Sequence, residues 1–303
     1  MHIDQNLLQQ FERQLDPVHP ERSVIPAKVL GYGEISSIFK IEGLGDIAFK
    51  RLPIFENRQA AADYLENYKE YCALLSEAGI RLPEDEGIIV QAPKRPTALY
   101  IAQKLLPPDS FIHKQLHTLP DDQIHTLLQK VITEIRKIWR INKEHAPALQ
   151  LSIDGQLSNW ALTDGRLLYI DTGTPMYRKN GQEQLDPEPL LKSAPGFLRW
   201  ILRLFFLDDV MNRYYDERLV YVDLAANLYK EQRPDLIPAT IDIINRHLSD
   251  NLPPISKEEA DKYYKEDKMI WTLFLSFRRF DRWISTRLMR RRYEFILPGK
   301  IKR

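Results

Sequence analysis

Leu151-Ser152-Ile153-Asp154-Gly155-Gln156-Leu157-Ser158-Asn159-Trp160, followed closely by Leu167-Leu168-Tyr169-Ile170-Asp171-Thr172-Gly173, is the stretch on which the reading of this sequence turns. An aspartate, an asparagine five residues later and a second aspartate closing an apolar run form an unusual polar set. Between them Trp160-Ala161-Leu162 reads as a short strand, Asp164-Gly165 as a turn and the run up to Asp171 as a second strand. Asp-Gly between apolar runs is a strong hairpin signal, because the tightest hairpin turns need positive φ at both central residues. Such a hairpin brings Asn159 and Asp171 to the same end.

Phosphoryl transfer needs a set of this kind. Its demands are positioning and charge neutralisation, so a protein supplies one carboxylate to orient the acceptor hydroxyl and oxygen ligands to hold Mg²⁺ on the phosphates. Asp154 suits the first role. Mg²⁺ takes few protein oxygens and completes its shell from phosphates and water, which suits Asn159 and Asp171. The spacing resembles the catalytic and metal-binding loops of the protein-kinase-like superfamily, in particular its aminoglycoside phosphotransferase and choline kinase branch. Those families commonly carry His before the loop aspartate and DFG or a relative at the metal aspartate. This chain has Ser152-Ile153-Asp154 and Asp171-Thr172-Gly173.

The resemblance extends upstream, over about residues 28 to 175. Val29 to Ile41 reads as two strands about a turn carrying Gly31 and Gly33, similar to a nucleotide-covering loop, where glycines let backbone N–H groups approach phosphate oxygens. A strand after Gly45-Asp46 places Lys50 where the superfamily keeps its phosphate-binding lysine. Arg58 to Ala78 reads as a helix stopped by Gly79, and by position it implies Glu70, or Glu66 one turn earlier, as the partner of Lys50. Two further strands, Ile88–Ala92 and Ala98–Gln103, lead into Lys104-Leu105-Leu106-Pro107-Pro108 as a hinge. Ile124, Leu127, Leu128, Val131, Ile132, Ile135, Ile138 and Trp139 recur at three and four, which predicts a long helix buried along one stripe.

The implied fold is α+β and bilobal. Residues 1–27 form an N-terminal helix, beginning near Asn6, and an extended segment. Residues 28–104 form a small nucleotide-binding lobe of antiparallel sheet with one helix, and residues 105–303 a larger, mainly helical lobe. Further helices are expected at Pro195–Leu207, Asp209–Tyr229 and Ile237–Leu248, with the Pro- and Gly-containing stretch from Thr174 to Ser193 lacking the Ala-Pro-Glu stop of a protein kinase. The implied activity is ATP- and Mg²⁺-dependent transfer to a hydroxyl of a small molecule, an amino alcohol, sugar or lipid-linked sugar. The absent loop histidine admits a second class, a pseudokinase scaffold that binds nucleotide or a partner without transfer.

Composition bounds the remainder. A chain of 303 residues, 44% hydrophobic and 28% charged, is a folded globular protein with a sizeable core. The net charge of +1 favours neither nucleic acid nor membrane as a global partner. Cys72 is the lone cysteine, which excludes an intramolecular disulfide and a zinc cluster. Met1-His2-Ile3-Asp4-Gln5-Asn6 lacks the basic and apolar regions of a signal peptide, and no apolar run approaches the ~20 residues of a membrane span. A cytoplasmic protein is expected.

The last third is locally basic. Trp271, Phe274, Phe277, Phe280 and Trp283 interleave with Arg278, Arg279, Arg282, Arg287 and Arg290 to Arg292, followed by Lys300, Lys302 and Arg303. Two readings stand: a surface that docks anionic lipid, or with less support nucleic acid, and a terminal helix that buries its aromatic stripe while the arginines reach into solvent.

Overall fold

The computed structural model describes residues 1–298 except 34, 193, 197 and 200–206. It is an α+β structure whose first part is a five-stranded antiparallel sheet. The strands are β1 (Ala27–Tyr32), β2 (Ser37–Ile41), β3 (Ile47–Phe55), β4 (Asp85–Val90) and β5 (Thr97–Lys104), in the order β1-β2-β3-β5-β4.

Alternation along β3 sends its side chains to opposite faces of the sheet. Phe49, with Phe39 and Tyr100 from the flanking strands, packs against Leu8 and Phe11 of helix α1 (Gln5–Gln14). Leu52, Leu99 and Ile101 point the other way, to Ala61, Tyr64 and Tyr68 of helix α2 (Arg58–Glu77). Both helices begin at side-chain caps. Asp4 accepts from the N–H groups of Asn6 and Leu7, and Asn57 accepts from that of Ala60. Gly79, directly after the C-cap residue Ala78, ends α2 at φ +82°, in the left-handed region that favours glycine.

The helical part is built on α3 (Asp121–His145), whose buried residues are the eight of the predicted stripe, Ile124 to Trp139. It shares a core with α5 (Glu217–Lys230) and α6 (Ile237–His247). Strands β7 (Trp160–Thr163) and β8 (Arg166–Tyr169) form the expected hairpin, with Asp164 at φ +51° and Gly165 at φ +72° in its turn.

One expected helix needs correction. The stretch from Asp209 to Tyr229 is two helices, α4 (Leu207–Tyr214) and α5, because Asp216 leaves helical geometry to accept from the N–H of Leu219 and cap the second. The stretch after Thr174, for which the sequence reading named no element, holds β9 (Tyr177–Lys179) and β10 (Gln182–Glu183), a hairpin about Asn180-Gly181, and β9 pairs with β6 (Leu149–Leu151). Most of the helix expected at Pro195–Leu207 lies outside the described residues.

The last helix, α7 (Lys257–Trp283), starts at a capping box in which Ser256 and Glu259 satisfy each other's backbone N–H groups. Its side chains follow the expectation of buried aromatics and exposed arginines only in part: Trp271, Phe274 and Phe277 are half-buried and Arg279 is exposed. Phe280 and Trp283 are each 51% exposed, whereas Arg278 is 2% exposed and lies over the rings of Phe274 and Phe295. The chain then returns to the sheet. Ile296 joins the core beneath α1, and Glu294 enters a buried ionic network there.

Arg51 is the centre of that network. Its guanidinium donates to both carboxylate oxygens of Glu12 at 2.7 Å, to the Glu294 carbonyl at 2.9 Å and to the Glu294 carboxylate at 3.0 Å. Arg95 pairs with the same two glutamates at 2.7 and 3.0 Å, and the Tyr100 hydroxyl donates to Glu12. Burial opposes the charge on Glu294, yet Arg51 and Arg95 hold its carboxyl below the ordinary value.

Candidate functional site

Lys50 and Asp171, 121 residues apart, form an ion pair where the sheet meets the helical part. The lysine comes from the α2 face of β3. Ladder pairing puts Gly31, Ile38, Lys50, Ile101 and Gly87 in one row across the sheet, so Gly31 and Lys50 share a face two strands apart, about 10 Å. Gly33 sits in the β1–β2 turn, its N–H donating to the Ser36 carbonyl at 3.0 Å. Neither Gly31 nor Gly33 has a positive φ.

Gly173 is the glycine this site requires. A Cβ there would stand 2.5 Å from Nζ of Lys50, 2.7 Å from Cε and 2.9 Å from Cδ. The lysine therefore reaches Asp171 by lying across bare backbone. Gly173→Ala is expected to displace the flexible tip of Lys50 from Asp171, at a stability cost under about 1 kcal/mol. Faster labelling of Lys50 by an amine-reactive reagent, read by mass spectrometry, would register the displacement; an unchanged rate would contradict it.

Asp154 and Asn159 lie on a tightly held loop. The hydroxyl of Tyr71 donates to the Ser152 carbonyl at 2.8 Å, and that of Tyr169 accepts from the Asp154 N–H at 3.2 Å. These tyrosines brace the segment where the sequence lacks a histidine. Asn227 of α5 accepts from the Leu157 N–H at 3.1 Å, and the Asn159 amide donates to the Asp154 carbonyl at 3.3 Å. The Ile170 N–H donates to the Asn159 carbonyl at 2.9 Å, so the hairpin does bring Asn159 beside the approach to Asp171.

The electrostatics centre on Asp154. Burial, then the carboxylates of Asp223 and Asp171, push its carboxyl up to about 7, against the N–H of Gln156, which donates to it at 3.0 Å. Asp223 of α5 is a site residue that the sequence reading missed. It is itself raised by burial, opposed by Lys230, and hydrogen-bonded to Gln156 and Tyr263. Lys230 in turn pairs with Asp267 of α7 at 3.1 Å. A lone aspartate inside an ordinary helical stretch gave no local signal of this placement.

Glu70 is not brought to Lys50. It accepts from the Tyr177 hydroxyl at 2.7 Å and pairs with Lys179, and Glu66 faces solvent. The reason lies in the helical face of α2 that meets the site, which carries tyrosines. Tyr64 donates to the Gly173 carbonyl at 2.8 Å, and Tyr68 donates to Asp85 and lies 3.2 Å from the Thr172 hydroxyl. Thus Lys50, Asp171, Asp154 and Asn159 gather at one place, Gly31 shares the sheet face of Lys50, and Glu70 belongs to a neighbouring cluster.

A group of three or more His, Cys, Asp or Glu side chains able to cage a metal is absent among the described residues. The donor set of one carboxylate and one amide oxygen at Asp171 and Asn159 is nonetheless of the hard-oxygen type that suits Mg²⁺ completed by phosphate and water.

The fold and site thus define an α+β protein with a buried carboxylate loop facing a lysine–aspartate pair. The chain belongs to a family of unknown function, DUF6206, whose model matches residues 20–282. No curated protein matches the chain.

Proposed function

We propose that this protein is an ATP- and Mg²⁺-dependent phosphotransferase acting on a hydroxyl of a small molecule, with a bilobal, kinase-like arrangement of sheet and helices. The meeting of Lys50 with Asp171, beside the loop bearing Asp154 and Asn159, is the observation that carries this reading. Lys50 would release Asp171 to hold nucleotide phosphates, and the turn at Gly31 and Gly33 would cover them. Asn159 and Asp171 would bind Mg²⁺, which supplies charge neutralisation to the transferring group. Asp154 would orient the acceptor hydroxyl and take its proton. A carboxyl poised near neutral pH is matched to that task, because general-base efficiency is greatest when the pKa lies near the working pH.

A second reading rests on Glu70. Its engagement with Tyr177 and Lys179 leaves Lys50 without the helix glutamate that the resemblance implies, which favours a scaffold that binds nucleotide without transferring phosphate. Thermal unfolding with and without ATP and Mg²⁺, in wild type and Asp171→Asn, tests the nucleotide site. A ligand at a hundredfold excess over its Kd stabilises by about 2.7 kcal/mol. A magnesium-dependent rise in Tm that the variant loses is expected; no rise in wild type would refute both readings. Formation of ADP and phosphorylated acceptor across a panel of hydroxyl compounds then separates them.

A further inference from the structure

Helix α7 has two sides of different character. Inward, Tyr263 bonds Asp223, Asp267 pairs with Lys230, and Leu275 and Arg278 are buried. Outward, Met269, Leu273, Phe280 and Trp283 are 66, 54, 51 and 51% exposed. At 100° per residue these four fall within one stripe along the helix. Leu288 and Met289, 66 and 56% exposed, extend it into the π-helical turn Ile284–Leu288 and the residue after it. Large apolar side chains scattered singly on a surface need no explanation, but six along one side of the chain, broken only by polar Ser276 and Thr272, point to a site of contact.

The charges beside the stripe are mostly basic, with Glu266, half-buried and paired with Lys262, at its start. Lys265, Lys268, Arg279, Arg287, Arg290 and Arg291 are exposed along or just beyond it, and Asp281 is the sole acidic residue between Lys268 and Arg292. A second copy of the chain pairing through this face about a two-fold axis would set arginine against arginine. Phe280 and Trp283 could stack bases, but their rings lie against each other and four of the six exposed apolar side chains, at 269, 273, 288 and 289, are aliphatic, which suits acyl chains better than bases. An anionic bilayer meets both demands, since its acyl boundary accepts the apolar stripe, its headgroups pair with the bases, and tryptophan favours the interface between them.

We propose that the outer face of α7, with the turn that follows it, lies on an anionic lipid surface. Among the described residues no helix is long and apolar enough to cross a membrane, so the contact is peripheral. It does not depend on the phosphotransfer reading, because none of its residues belongs to the Lys50–Asp171 site.

Cosedimentation of the full chain with vesicles tests it, comparing phosphatidylcholine alone with phosphatidylcholine mixed with phosphatidylglycerol. Binding to the mixed vesicles is expected, weakened by salt, and reduced about tenfold or more in Phe280→Ser/Trp283→Ser and in Arg287→Glu/Arg290→Glu/Arg291→Glu. The residues replaced are exposed, and unchanged melting curves will show that both variants fold. A blue shift of tryptophan emission on vesicle binding, lost in Trp283→Phe, is expected alongside. Absence of binding to the mixed vesicles, equal binding to neutral ones, or full binding by either variant would overturn the proposal. A concentration-dependent dimer that Phe280→Ser/Trp283→Ser dissociates, or RNA binding in place of lipid binding, would do the same by assigning the face to another occupant.

Discussion

Arg51→Met should lower the stability of the fold by about 3–5 kcal/mol, the usual cost of breaking a buried ion pair from one side. The methionine keeps most of the stem volume but none of the five donors. Glu12, fully buried, would then keep only Arg95 and the Tyr100 hydroxyl, and Glu294, 11% exposed, only Arg95 and Arg292. Because desolvation of the stranded carboxylates carries the penalty, the loss should be nearly insensitive to salt, unlike that of a surface pair. Replacing Glu12 by Gln in the Arg51→Met background should recover part of it, which a double-mutant cycle measures directly. A loss under about 1 kcal/mol in urea unfolding would mean that the network contributes no more than exposed pairs do.

Asp154→Asn should have opposite effects on stability and on turnover. An acid whose carboxyl is raised to about 7 in the folded state, from the ordinary 3.8, favours folding only while it stays protonated. Below the unfolded value both states hold the proton and there is no penalty. As pH rises through the window from about 4 to 7 the unfolded chain releases its proton first, and stability declines; above 7 the full penalty is present. Asparagine removes the charge, so the variant should gain roughly 2–4 kcal/mol over wild type at pH 8 and nothing at pH 4. Asp223 and Asp171, the charges that raise Asp154, make this pH dependence a property of the cluster. On the phosphotransfer reading the same variant loses turnover by a factor of about 10² or more. Denaturant melts at the two pH values test the first statement, and turnover with any accepted hydroxyl tests the second. A variant less stable than wild type at pH 8 would mean that Asp154 is held as a satisfied anion.

Local signals carried much of this in the sequence. The Asp164-Gly165 hairpin and the stripe from Ile124 to Trp139 were legible because turn conformation and helical periodicity are written in neighbouring residues. The β9–β10 hairpin, with Asn180 at φ +49° and Gly181 at φ +76°, carries the same turn signal but escapes reading, because its strands of three and two residues are too short to show alternation. Lys50 and Arg51 illustrate the boundary. Two successive cations in an apolar strand must face opposite sides of the sheet, yet only packing reveals that Lys50 meets Asp171 while Arg51 meets Glu12 and Glu294. Asp223 and the tyrosine face of α2 were hidden for the same reason. Their partners come from distant segments, and a resemblance that supplies a glutamate at that position draws attention away from Tyr64, Tyr68 and Tyr71.

The bonds from Arg51 to Glu294 span 243 residues of chain. During synthesis, which delivers the N-terminal part first, β1 to β5 can pair long before Glu294 has left the ribosome. Over that interval Arg51 has Glu12 as a partner but not Glu294, and Ile296 is missing from the layer beneath α1. The nascent sheet thus stays open to chaperones on part of its α1 face until almost the last of the described residues emerges, so the protein's vulnerability to aggregation is concentrated in a translational window, and a ribosome stalled within α7 would carry a paired sheet with that face incompletely covered.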